Sequence, residues 1–142
     1  MGNVGWNGDE RSERYGLNAR VFGDMARVCH RTGMNGLTIW GEPSPYHATV
    51  ELSYLAFARF SWNPQFSFED FVAEEAAPRL GGLEAAQDFI SIAEELDASQ
   101  TLDPARLETL LRRAAAHRAT GETGRRWLSL EDQIARRQFM GR

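Results

Sequence analysis

One short apolar run constrains this chain more than any other feature. Gly36-Leu-Thr-Ile-Trp40 is rich in strand formers, opens on a glycine, and is too short for a helix, while the segments around it have helical spacing. A buried strand needs partners for its backbone groups on both sides, because each group buried unpaired costs about 1–3 kcal/mol. One or two strands alone make no stable sheet. The run therefore pairs with a short strand near Val4, pairs with another chain, or belongs to a sheet whose other strands lie outside this sequence. The third reading is adopted here. The alternative is an all-α domain in which the run is a buried extended connector.

The flanking segments set the run in context. Residues 1–16 are glycine-rich and polar, and read as a loop entered from a short strand at Asn3 to Trp6. From Leu17 to about Thr32 the residues Leu17, Val21, Phe22, Met25, Val28 and Cys29 recur at helical spacing, with Gly16 or Asn18 as the start and Gly33 as the stop. Helix, turn and strand in that order make half of a βαβ unit. Gly41-Glu-Pro-Ser-Pro-Tyr-His47 is a loop, in which Ser44 suits a helix N-cap and Pro45 the first helical position. Tyr46 to Trp62 is apolar on nearly every side and must be covered on most faces; Asn63-Pro64 ends it.

Further along, Ser67 caps a helix with Glu69 and Asp70 in its first turn, and Gly81-Gly82 stops it. Helices are expected at Leu83 to Leu96, from Asp103-Pro104 to about Ala119, and once or twice between Glu122 and Met140. The expected class is α/β and mostly helical, with a first part over residues 1–80 and a helical region over residues 81–142.

Composition excludes several function classes. A hydrophobic content of 42% and a charged content of 25% are those of a globular chain rather than a disordered one. A net charge of −4 argues against a general nucleic-acid binder. All sixteen basic residues are Arg, which fits a GC-rich bacterial genome better than a phosphate site. Arg125, Arg126, Arg136, Arg137 and Arg142 interleave with Glu122, Glu131 and Asp132, the pattern of a solvated helix face. The N-terminal residues lack the basic and apolar regions of a signal peptide and no run is long enough to span a membrane, so the default expectation is cytoplasmic, and the compartment is open if the chain is a fragment that has lost its signal. The lone Cys29 lies on an apolar helix face as a buried thiol. No zinc pattern, phosphate-binding glycine loop or Ser-His-Asp ordering occurs, and no cofactor or metal is expected.

In parallel α/β folds, ligands meet the loops that follow the carboxyl ends of strands. Glu42 holds that position two residues beyond Trp40, and a carboxylate beside an indole face suits a sugar hydroxyl and ring. Asn7 and Asp9, which follow the strand expected near Val4, would line the same mouth in the barrel that the resemblance given below implies. Tyr46 and His47 complete the candidate set. His30 suits a helix C-terminus, His117 faces solvent, and Trp62 and Trp127 are core residues by spacing.

Gly36-Leu-Thr-Ile-Trp-Gly-Glu-Pro43, then Val50-Glu-Leu-Ser-Tyr-Leu-Ala-Phe-Ala-Arg-Phe-Ser-Trp-Asn-Pro64, then Phe68-Glu-Asp-Phe71 and Arg79-Leu-Gly-Gly82 resemble the last strand and following helices of (β/α)8-barrel glycoside hydrolases. The likeness is greatest to the group with α-glucuronidase-like and hexosaminidase-like barrels. It covers roughly residues 36–82 and rests mainly on packing residues. It implies the last βα unit or units of a TIM-like barrel followed by a C-terminal helical extension, with carbohydrate as the partner. Trp40 would floor a sugar subsite and Glu42 would bind substrate, while the catalytic carboxyl pair would sit on earlier strands. The chain would then not catalyse in isolation, and it would self-associate or require the missing barrel portion. The competing expectation is a helical interaction domain whose segment Val50 to Trp62 docks on a partner.

Overall fold

In the computed structural model, residues 2–4, 16–39, 46–98 and 102–140 are described. The apolar run forms β2 (Leu37–Ile39), which pairs in parallel with β1 (Gly2–Val4), Gly2 opposite Leu37 and Val4 opposite Ile39. Between them runs α1 (Ala19–Arg31). The run thus takes the partner near Val4, and the preference for strands outside this sequence is corrected to that extent. Leu37 and Ile39 pack against the core while Thr38 is exposed, so the sheet is covered on one face. Among the described residues no third strand joins it. The chain is mostly helical with one βαβ unit, and no barrel wall of several strands is found among those residues.

After β2 comes α2 (Ala48–Trp62), whose residues Val50, Leu52, Ala56 and Phe60 are buried. They are covered by the chain's own helices. Phe22 meets Phe57 edge-on at 5.6 Å, and a Cβ at Gly23 would come within 3.3 Å of the Phe60 ring. That close approach accounts for a glycine inside α1, where it costs about 1 kcal/mol relative to alanine. The face expected to dock on a partner is therefore filled internally. Trp62, expected in the core, is 88% exposed because it ends α2 beyond the helices alongside.

Three short pieces follow: α3 (Phe68–Phe71), a π-turn (Val72–Ala76) and α4 (Ala77–Leu80). Ser67 caps the start as the sequence indicates, and Asp70 adds the reciprocal bond of a capping box. The π-turn has a cause in Pro78, which has no N–H to donate and whose ring would clash with the carbonyl four residues back. Widening the turn relieves that clash, with the Ala77 N–H reaching back five residues to the Val72 carbonyl. Arg79 Nη1 donates to the Glu75 carbonyl at 2.7 Å. Gly81, at φ +100°, stops the segment in the left-handed region.

The rest is α5 (Leu83–Ala98), α6 (Pro104–Ala116, capped by Asp103) and α7 (Gly121–Met140), one continuous helix. Phe60, Phe71, Phe89, Leu110, Trp127 and Ile134 belong to one buried cluster, so helices before and after residue 80 share a core.

Candidate functional site

Of the six residues singled out from the sequence, Trp40, Glu42, Asn7 and Asp9 lie outside the described residues. Tyr46 and His47 are described, and the structure brings them to the start of α2, against α7. The sequence suggests Ser44 as the N-cap there; instead α2 begins at Ala48 with His47 in the cap position, extended at φ −76°, ψ 121°. The His47 side chain makes no cap bond. The capping acceptor comes from 81 residues away, where Ser129 Oγ accepts from the Ala48 N–H at 3.1 Å. Gln133 Nε2 donates to Thr49 Oγ1 at 3.0 Å one turn further along α7.

Arg125 binds the entrance more firmly. Its Nη1 donates to the Tyr46 carbonyl at 2.7 Å, and its guanidinium lies 5.8 Å from the Tyr46 ring centroid. The Tyr46 ring itself is largely exposed. The same guanidinium donates to Glu51 at 3.0 Å and to Glu122 at 2.8 Å. Arg126, only 11% exposed, grips both oxygens of Glu51 at 2.6 and 2.9 Å. Burial alone would raise the Glu51 carboxyl, but the hydrogen bonds and charges of Arg126 and Arg125 carry it below its ordinary range. Arg125 and Arg126, expected on a solvated face, are thus tied to α2.

His47 is shifted down, first by burial and next by the positive charge of Arg136, with Asp132 opposing. Both effects disfavour the charged imidazolium.

Sequence reasoning missed Arg125, Ser129, Gln133 and Arg136. A signal existed: they recur at intervals of four, four and three, opposite the buried Trp127, Leu130 and Ile134. The spacing marks a second face of α7, on which Gln133 is buried and Arg136 exposed, but nothing in it names α2 as the partner.

A second polar cluster joins α5, α6 and α7. Asp88 pairs with Arg113, and its Oδ2 lies 2.9 Å from His117 Nε2. The His117 ring stacks on Trp127 at 4.4 Å, so it is not the solvent-facing residue expected. Burial would raise Asp88, but Arg113 and His117 hold it below the usual carboxylate range. Arg20, Gly23, Asp24, Arg27, Phe60 and Phe68 line a shallow recess of about 130 Å³. Its guanidiniums are engaged, Arg20 with Glu94 at 2.6 Å and Arg27 with Asp24 at 2.7 Å. Among the described residues no group of His, Cys, Asp and Glu could hold a metal ion, and no helix is long and apolar enough to cross a membrane.

The depressed carboxylates fix a pH dependence. A carboxyl whose folded pKa is lowered contributes stability above its unfolded pKa, near 4, and loses it as pH falls through the folded value. Unfolding by urea should therefore become easier below about pH 4. Glu51→Gln should flatten that fall while costing about 1–3 kcal/mol at pH 7, because Arg126 keeps its burial and loses its charge partner. An acid limb identical in wild type and Glu51→Gln would remove Glu51 from the account.

These features define a mostly helical chain whose βαβ unit leads into an α2 entrance built jointly by α2 and α7. No family model, curated protein or solved structure matches it.

Proposed function

We propose that this chain is a carbohydrate-binding segment, the C-terminal part of a glycoside hydrolase of the (β/α)8-barrel kind, and that it does not cleave glycosidic bonds alone. The observation that carries the reading is the parallel pairing of β1 and β2. Parallel strands have their carboxyl ends at the same end of the sheet, the end where such folds take ligands. Asn7 and Asp9 follow β1 in sequence, and Trp40 and Glu42 follow β2. His47 and Tyr46, whose carbonyl accepts from Arg125, continue the same segment.

In this reading Trp40 stacks on the apolar face of a sugar ring and Glu42 accepts from its hydroxyls. Hydrolysis needs two carboxyl groups, about 5–5.5 Å apart for retention or ~6.5–9.5 Å for inversion. No such pair is assigned here, so binding without turnover is the expected behaviour. The competing reading, a helical interaction domain docking through Val50 to Trp62, is disfavoured because the apolar Val50, Leu52, Ala56 and Phe60 of that segment are buried within the chain.

The test is a glycan-array screen followed by calorimetry on any glycan retained. Glu42→Gln and Trp40→Ala should each weaken binding tenfold or more, with unchanged helical circular dichroism. The reading is abandoned if no glycan binds or if Glu42→Gln binds as well as wild type.

A further inference from the structure

We draw no further inference here: the strongest candidate, the shallow recess between α1, the end of α2 and the start of α3 lined by Arg20, Asp24, Arg27, Phe60 and Phe68, offers guanidiniums already paired with Glu94 and Asp24, and nothing in the structure shows what would occupy it.

Discussion

Trp127→Ala should lower the free energy of unfolding by about 3–5 kcal/mol, the range for truncating a large buried aromatic. Trp127 is fully buried. Its ring packs edge-on against Phe89 at 5.1 Å and under the His117 imidazole at 4.4 Å. Its Nε1 donates to the Leu80 carbonyl at 3.0 Å, fastening α7 to the end of α4. The substitution opens a cavity and orphans a buried acceptor together. Against a typical domain stability of about 5–15 kcal/mol, that brings the chain close to unfolding. Trp127→Phe keeps most of the volume and should cost less, about 1–3 kcal/mol for the lost hydrogen bond. Urea unfolding of the three proteins decides the matter; equal midpoints for wild type and Trp127→Ala would show that α7 does not hold the core together.

Gly124→Ala tests the structure where sequence logic and geometry disagree in sign. Gly124 lies inside α7, where alanine normally gains about 1 kcal/mol over glycine. Here a Cβ would lie 1.9 Å from the Ala119 carbonyl oxygen and 2.7 Å from its carbon. Those are backbone atoms of the turn between α6 and α7, which must shift to admit it. A loss of at least about 2 kcal/mol is expected, at the upper end of overpacking costs. A gain in thermal midpoint would mean that the α6–α7 turn yields easily and that α7 starts differently.

The parts of the fold legible in the sequence are those fixed by local chemistry. Ser67 with Asp70, Asp103 before Pro104, and the glycine at 81 act within four residues of themselves, and each sits where its pattern indicates. Cys29 and Trp127 are buried as their spacing implies. What failed depends on distant partners. Ser44 looked like the cap of α2 because its own neighbours suit that role, whereas the acceptor is Ser129. Trp62 fits the apolar period of α2 yet runs past its cover. His117 looks free until α7 brings Trp127 under it. The π-turn was not foreseen, although Pro78 is its visible cause. The apolar run points to strands outside this sequence rather than to Val4, because a three-residue strand carries no register information of its own; the pairing with β1 corrects that. Of the candidate site, Trp40, Glu42, Asn7 and Asp9 lie outside the described residues; for Tyr46 and His47, the contribution of α7 is not legible in the sequence.

The capping of α2 by Ser129 has a consequence for how the molecule is made. A chain leaving the ribosome exposes its N-terminal βαβ unit long before α7 is synthesised, yet α2 gains its cap, the charge partners of Glu51 and the bond to Thr49 only from α7. Until α7 is synthesised, α2 lacks these partners, and incompletely packed apolar surface is prone to misassociate. Burden on holding chaperones should therefore rise with any change that slows translation between α2 and α7.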